Sequence, residues 1–430
     1  MHFSFEHSGV AKGDLEAGAK TLSAYLARLG ATAKKGEYGE PESSICLPAD
    51  QALLLGVSAV YREKVRVPLK YVVLVGIGGS NLGVKAVYDA LAGYGDAFRG
   101  DNRPRMIFLD TNDEEITRIS AAHLLKNIGD SKELIIAVVS KSGKTTETIA
   151  NAEYIIHELK NRFPEIEERV VIITDEESTL RDAARKRNMT VLTIPKQIGG
   201  RFSVFAAVGL FPLMAAGFDI EKFRAGASEI RASCLSSETG KNPALEGAVF
   251  LAYWYRKGKA IHDSFFFNPE LESLGKWYRQ LLGESIGKSE KVGITPIISV
   301  GSTDLHSLGQ LYLGGPKDRT TLFVASKSAD NKVRVPSERI FPNLIPSIKG
   351  KTFSEIMKAI REGVKIAYQK NELPFSEAVF EKITERELGF FMEWKMIETM
   401  YLGQLLGVNV FDQPEVELYK KETERILKNT

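Results

Sequence analysis

The feature that most constrains the fold is an apolar run, Leu134–Val139, that ends abruptly in the segment SKSGKTT at residues 140–146. Apolar residues at helical spacing begin directly afterwards, from Ile149 onward. This order predicts a buried strand, a tight turn and a helix. Free backbone N–H groups and the positive end of the helix dipole meet at such a turn, which suits it to bind a phosphate. Hydroxyls that could add donors lie at Ser140, Ser142, Thr145 and Thr146. The alternative is a well-capped helix after a loop, since Ser and Thr are common caps.

Two segments match nucleotide-binding motifs in part, but each lacks a required glycine. Gly143-Lys144 would need a glycine five residues earlier to form an ATP-type phosphate loop, and Val138 stands there. The segment GIGGSN, which starts at Gly76, has Asn81 in place of the third glycine of a dinucleotide-binding motif. The sequence therefore favours neither ATP nor NAD.

The same order of strand, polar turn and helix recurs along the chain. In the first half, strands are predicted at 71–75, 106–109, 134–139, 170–174 and 191–194. In the second half, strand-like segments lie at 259–267, 295–301 and 321–325, and helical stretches at 270–282, 303–313, 353–370 and 385–406. Strands that alternate with helices indicate βαβ units and a doubly wound parallel sheet. The predicted fold class is α/β, with two similar units.

The length of the chain predicts more than one domain. A chain of 430 residues is too long for one ordinary core and suits two domains. We expect an N-terminal helical segment at 1–50, a first α/β domain at 51–200, connecting helices at 201–235, and a second α/β domain with C-terminal helices at 236–430.

Composition narrows the classes of partner and the compartment. Lysine and arginine number 57 and aspartate and glutamate 55, a net charge of +2, so nothing indicates nucleic acid or a membrane surface as a partner. No apolar run approaches the ~20 residues of a membrane span. The two cysteines, Cys46 and Cys234, are far apart, which argues against a disulfide framework or a cysteine metal site and fits a reducing cytoplasm.

Candidate functional residues stand in other turns. The turn after 71–75 carries four glycines together with Ser80, which allows a ligand to approach the backbone closely. Arg201, preceded by two glycines, suits either a structural ion pair or a forked contact to an anion. Glu284, in a predicted glycine-flanked turn, is either a surface carboxylate or a general base strengthened by removal from water. His306, in a predicted loop after a strand, is the best placed of six histidines for chemistry, although a lone histidine is more often structural.

Taken together, these segments resemble the glucose-6-phosphate isomerase (phosphoglucose isomerase) family. The resemblance extends from about Tyr71 to Lys420 and rests on six motifs in the family's order: VGIGGSNLG, SKSGKTTET, GGRFS, GESIGK, GSTDLHSLGQ and NVFDQPEVELYK. It implies two sugar-isomerase (SIS) α/β domains. It also implies the interconversion of glucose 6-phosphate and fructose 6-phosphate through a cis-enediolate, without metal or organic cofactor.

The resemblance implies roles for individual residues. Glu284 matches the glutamate that moves a proton between C2 and C1, and Arg201 the arginine that stabilises the enediolate. His306 and Lys420 match the pair that opens the sugar ring. In the family this histidine comes from the neighbouring subunit, which implies a homodimer. The remaining matches surround the substrate and its phosphate: Gly79, Ser80, Ser140, Lys141, Ser142, Thr145 and Gln280.

Two departures and two alternatives accompany the resemblance. Glu415 stands where the family usually has glycine, which affects the predicted turn before Lys420, and Lys144 adds a positive charge beside the phosphate turn. A non-catalytic SIS regulator would need the phosphate turn but not Glu284, Arg201 and His306. An enzyme that also isomerises mannose 6-phosphate would keep all of them.

Overall fold

The computed structural model describes residues 1–93, 95, 103–327 and 333–429. Its strands, in chain order, are β1 His2–Ser4, β2 Tyr71–Val75, β3 Arg105–Leu109, β4 Leu134–Val139, β5 Val170–Asp175, β6 Thr190–Ile194, β7 Ile261–Phe266, β8 Thr295–Val300, β9 Arg319–Ser326 and β10 Phe375–Phe380. The α-helices are α1 Lys12–Lys35, α2 Gln51–Lys64, α3 Leu82–Tyr88, α4 Glu114–Asn127, α5 Thr146–Lys160, α6 Thr179–Lys186, α7 Ala207–Ala215, α8 Ile220–Cys234, α9 Pro243–Arg256, α10 Glu272–Ile286, α11 Thr303–Ser307, α12 Gly309–Gly314, α13 Phe353–Lys370, α14 Glu385–Leu406 and α15 Val416–Asn429.

The strands form two five-stranded sheets. The first has the order β3-β2-β4-β5-β6, and all of its neighbours are parallel. The second has the order β1-β10-β9-β7-β8, in which only β1 is antiparallel to its neighbour. The predicted α/β class with two parallel-sheet units is confirmed.

Apolar composition accounts for the interior strands of the first sheet. All residues of β2 and β4 are buried, as expected for strands covered on both faces by helices. All five strands predicted in this half are present. In the second half, β7 and β8 lie within the predicted segments, and β9 extends the predicted segment 321–325 by two residues before it and one after it. Strands β10 and β1 are not predicted.

Helices pack the two units together around one large apolar core. Helix α14 is buried along almost its whole length and packs against α8, α9 and α10. Within that core the apolar residues of α7, α8, α9 and α10 meet those of the sheets. Helices α13 and α14 have the predicted bounds.

Two predictions about turns are wrong. Glu284 lies in the last turn of α10, which continues to Ile286. His306 lies in the short helix α11, within the helical stretch predicted at 303–313 and not in a loop. Lys420 likewise lies inside α15.

Among the described residues, no single helix has the length and apolar composition to cross a membrane. The consecutive helices Pro41–Ala49 and Gln51–Lys64 together have the required length and composition, but they are bent by 67° where they meet.

Candidate active site

Two glycine-containing turns touch where the first sheet meets the helical core. One follows β2 and contains Gly79 and Ser80, and the other contains Gly200 and Arg201. A Cβ placed on Gly79 would lie 2.2 Å from the carbonyl carbon of Gly200, so only glycine fits at this contact. The close approach fixes the start of the Arg201 turn against the carboxyl end of β2.

Arg201 is buried and fully engaged. Its side chain is 2% exposed. Its guanidinium donates to Ser285 Oγ (2.8 Å), Glu284 Oε2 (3.1 Å), Gln413 Oε1 (2.7 Å) and the carbonyls of Val410 (2.6 Å) and Asp412 (2.9 Å). Burial lowers the pKa of Arg201, and the Glu284 carboxylate opposes this shift. Because an arginine stays charged even so, the site holds a cation in one fixed orientation.

Glu284 stands beside this cation at the end of α10. Its Oε2 accepts from Arg201, and its Oε1 accepts from Gln280 Nε2 over 2.9 Å, one helical turn earlier. The side chain is 34% exposed, so the carboxylate is held from behind and open in front. Gln280 occupies the space beside Gly78, where a Cβ would lie 2.9 Å from its Nε2. Gln280 Oε1 is buried and has no partner among the described residues.

The turn after β4 is held by its own hydroxyls. Ser140 Oγ lies 3.0 Å from Thr145 Oγ1 and accepts from the backbone N–H of Gly143 over 3.1 Å. Thr174 Oγ1 donates to the Ser140 carbonyl over 2.6 Å. Thr145 precedes α5 without a side-chain capping bond. The first N–H groups of α5 are therefore not satisfied by Thr145, contrary to the alternative of a well-capped helix.

Glycine is required at one position of this turn. Gly143 has φ = +69°, and a Cβ there would lie 2.8 Å from Leu180 Cβ. Ser142 is exposed, and its Oγ accepts from the backbone N–H of Lys144 over 3.3 Å. Lys141 points elsewhere: its Nζ donates to the carbonyl of Lys196 over 2.6 Å, and burial lowers its pKa.

The two turns of the first sheet lie side by side. Strands β2 and β4 are parallel neighbours, with Val75 opposite Val138, so their carboxyl ends share one edge of the sheet. Ligands of doubly wound sheets bind at this edge. The structure thus gathers most of the predicted residues: Gly79, Ser80, Ser140, Ser142, Thr145, Arg201, Gln280 and Glu284.

His306 and Lys420 are not brought into this group within one chain. The side chain of His306 is exposed and makes no hydrogen bond or ion pair with any described residue. Lys420 is exposed on α15 and pairs with Glu417 over 2.7 Å. Neither has a hydrogen bond or ion pair to Glu284 or Arg201 in the described part of the chain.

Sequence reasoning missed the partners that hold Arg201. Ser285 directly follows Glu284, and Gln413 lies inside a motif already singled out, yet neither had been given a role. Lys288 was also missed: its Nζ pairs with Asp412 Oδ1 over 3.0 Å. A polar cluster between two amphipathic helices, at 409–415, was the available signal. In the described residues, no group of three or more His, Cys, Asp or Glu side chains is arranged to hold a metal ion.

The chain is similar to known proteins over most of its length. Residues 58–430 match the family model described as phosphoglucose isomerase. The glucose-6-phosphate isomerase of Methanocaldococcus jannaschii is 35% identical over 83% of this chain and 84% of its own length. That of Carboxydothermus hydrogenoformans is 31% identical over 99% and 93%.

A solved structure extends the likeness to the fold. The glucose-6-phosphate isomerase of Chlamydia trachomatis superposes with a TM-score of 0.82, covering 99% of this chain and 88% of that chain at 23% identity. With residues 58–430 matched by the family model and relatives above 30% identity over most of the chain, the chain belongs to the phosphoglucose isomerase family.

Proposed function

We propose that this chain catalyses the reversible isomerisation of glucose 6-phosphate and fructose 6-phosphate, a step of glycolysis and gluconeogenesis. One observation carries the proposal: in a member of this family, Glu284 stands 3.1 Å from the buried guanidinium of Arg201. The two hydroxyl turns of the first sheet lie near this pair. A base, a fixed cation and an anion-binding turn are what a phosphorylated aldose or ketose requires.

Glu284 acts as the base. Its carboxylate removes the proton from C2 of the open-chain aldose, and the electron pair left on C2 forms the C1–C2 double bond of a cis-enediolate. The hydroxyl proton then passes from O2 to O1, so that the negative charge lies on O2. As the C2 carbonyl forms, the protonated Glu284 returns its proton to C1, which gives the ketose. One carboxylate can serve both carbons because the cis-enediol presents them on one face. The hydrogen bond from Gln280 fixes the carboxylate's orientation.

Arg201 stabilises the negative charge that develops on the enediolate oxygen. Its five hydrogen bonds hold the guanidinium in place before substrate arrives. A preorganised cation needs no rearrangement as the charge forms, which is the main source of electrostatic stabilisation in such steps.

The phosphate binds at the turn after β4, with the hydroxyls of Ser142 and Thr145 and the first N–H groups of α5 as donors. Ser80 contributes from the neighbouring turn. The phosphate is remote from the bonds that change, so its binding energy holds the open-chain sugar for the reaction. Gln280 Oε1, buried and without a partner in the described residues, would accept a hydrogen bond from a sugar hydroxyl.

His306 and Lys420 open the sugar ring, and His306 serves the active site of a second copy in a homodimer. Its exposure, and its lack of side-chain partners among the described residues of its own chain, support this placement. An imidazole can pass a proton from the anomeric hydroxyl to the ring oxygen near neutral pH. The enzyme works in the cytoplasm and needs neither metal nor organic cofactor.

A coupled assay tests the activity. Purified protein receives fructose 6-phosphate with EDTA present, and glucose-6-phosphate dehydrogenase reports the product through NADPH. Turnover is expected in the presence of EDTA, and Glu284→Gln protein prepared in the same way controls for a contaminating isomerase. No turnover by folded, dimeric protein would favour the non-catalytic regulator. Turnover of mannose 6-phosphate as well would identify the bifunctional enzyme.

A further inference from the structure

A chain of buried polar side chains runs between the second sheet and helices α11–α13. It links Asp263 on β7, Ser299 on β8 and Tyr312 on α12, which are 0%, 0% and 2% exposed. Ser299 Oγ donates to Asp263 Oδ1 over 2.9 Å and lies 2.7 Å from the Tyr312 hydroxyl. Because a serine has one proton, already given to Asp263, Tyr312 must donate to Ser299. Each hydrogen bond of this series is therefore donated in the same direction, from Tyr312 of α12 towards Asp263 in the centre of the sheet.

This chain is costly to bury. It lies beside the aromatic core of Phe265, Phe323 and neighbouring residues. Asp263 Oδ2 and Thr321 Oγ1 have no partner among the described residues, although Thr321 stands opposite Asp263 on β9. Apolar residues of similar size would pack here at lower cost. Stability alone therefore does not account for these three residues.

The groups around Asp263 act in opposite directions on the ionisation of its carboxyl group. They come from every element packed on this face of the sheet: Ser299 of β8, Thr321 and Arg319 of β9, Asp304 of α11, Tyr312 of α12 and Tyr368 of α13. Arg319 lies over the Tyr312 ring, 4.8 Å from its centroid, and favours the ionised carboxylate. Asp304 opposes ionisation, and burial opposes it most.

The polar chain ends at the segment that carries His306. Helices α11 and α12 are only 5 and 6 residues long, so neither has much stability of its own. Asp304 Oδ2 accepts from the backbone N–H of Val300 over 2.7 Å, and Leu305 and Leu308 pack into the aromatic core. His306 and Ser307 are exposed between these inward anchors.

We propose that Asp263, Ser299 and Tyr312 are positioning residues for His306. Their hydrogen-bond chain fixes α12, and through it α11, to the second sheet, so that the imidazole is presented outward in one orientation. The inference rests on the proposed function, in which His306 acts in ring opening. It adds three residues that never touch the substrate.

The test compares two buried tyrosines of the same core. Tyr312→Phe removes the hydroxyl that donates to Ser299, whereas Tyr368→Phe removes a nearby buried hydroxyl that makes no hydrogen bond to Asp263, Ser299 or α12 in the described part of the chain. In Tyr312→Phe we expect kcat to fall about tenfold with KM within about twofold of wild type, the loss of one orienting hydrogen bond. We expect Tyr368→Phe to keep both constants.

A second readout follows His306 itself. The imidazole signal is assigned by NMR through its disappearance in His306→Gln. It should shift or split in Tyr312→Phe and stay in place in Tyr368→Phe. Asp263→Asn keeps the oxygen that accepts from Ser299 and should keep kcat within about twofold, whereas Asp263→Leu should behave as Tyr312→Phe does.

The outcomes separate the two proposals. A wild type without isomerase activity overturns the proposed function, and the NMR signal alone then decides the inference. An unchanged His306 signal and kcat in Tyr312→Phe overturn the inference, as do equal losses in both tyrosine variants. If Tyr312→Phe does not fold, Ser299→Ala gives the same test.

Discussion

The two α/β units share a strand order and differ in where they keep their polar groups. The first sheet contains the order β3-β2-β4-β5 and the second the order β8-β7-β9-β10. In each unit the first strand therefore lies between the second and the third. The interior strands β2 and β4 consist of aliphatic residues apart from Tyr71, and glycines and serines follow their carboxyl ends. By contrast, β7 buries His262, Asp263 and Ser264 inside the sheet.

This difference separates two uses of polar residues. Polar residues that follow a strand lie at the edge of the sheet where ligands bind. The free-energy cost of removing them from water is offset by the hydrogen bonds that a bound ligand makes. Those within β7 face other protein groups: His262 Nδ1 lies 3.0 Å from Thr320 Oγ1, and Asp263 accepts from Ser299. We infer that the polar groups after the strands of the first sheet bind substrate, whereas those inside β7 position other protein groups.

The largest expected effect is at Glu284. Its carboxylate is held by other protein groups and is also open to substrate, so it combines positioning with binding. Glu284→Gln keeps the shape and removes the base, so turnover should fall by about three orders of magnitude or more with substrate binding largely kept. Steady-state kinetics and a separate binding measurement check this. Gln280→Ala is the control, because it removes a neighbour of Glu284 and leaves the base in place. Its loss of turnover should be far smaller. Near-normal turnover of Glu284→Gln would remove the residue from this role.

The next effect concerns stability and the polar interior of the second unit. Burial raises the pKa of Asp263 to about 7, above its unfolded value of about 3.9. The folded state then holds the proton where the unfolded state has lost it, so stability falls as pH rises from about 4 to about 7. At pH 8 the penalty approaches about 4 kcal/mol, and Asp263→Asn should remove much of it.

Urea unfolding of wild type and Asp263→Asn at several pH values measures this difference. The difference should be small below pH 4 and should grow to a plateau above pH 7. Glu393 of α14 is the matched control outside both sheets, since burial raises its pKa to about 8. Glu393→Gln should remove a separate decrease in the free energy of unfolding, one that continues to about pH 8. A difference independent of pH at Asp263 would mean that its carboxyl stays charged when buried.

Arg201 tests whether a buried cation at the junction of the units serves catalysis. Arg201→Lys keeps the charge but cannot reproduce five directed hydrogen bonds, so kcat should fall about a hundredfold and more than KM rises. Arg224 is the matched control: it is also buried, and it donates to the Asp50 carbonyl outside the site. Arg224→Lys should lose stability without a comparable loss of kcat. A pure KM effect in Arg201→Lys would make Arg201 a ground-state binder.

The contrast between the units also explains what could be predicted from the sequence. Strands β2 to β6 were found because apolar runs bounded by turns are unambiguous. β10, Phe375–Phe380, was missed because Glu377 interrupts its apolar pattern, and β1 because three residues carry no periodicity. The polar centre of β7 left only Ala260-Ile261 as a recognisable strand core.

Glycines misled the prediction of local structure at Glu284. Gly283 and Gly287 suggested a turn, yet α10 continues to Ile286. Gly275 in the same helix shows why: a Cβ there would lie 2.7 Å from the Phe266 ring, so glycine allows the helix to approach the sheet. Such tertiary contacts are not visible in local sequence. The convergence of Arg201 with Gln413, 212 residues away, could not be predicted for the same reason.

The smallest expected effect tests the turn of the first unit against its counterpart in the second. Ser142→Ala combined with Thr145→Ala removes two proposed phosphate donors, and the affinity for sugar 6-phosphates should fall about tenfold, the value of one or two charge-assisted hydrogen bonds. β9 holds in its sheet the place that β4 holds in the first, and Ser326 ends it. Ser326→Ala is therefore the matched control and should leave affinity unchanged. Titration of each variant with glucose 6-phosphate, and with glucose to isolate the phosphate contribution, measures the effect. Equal affinity in both variants would move the phosphate away from the β4 turn and remove the functional contrast between the units.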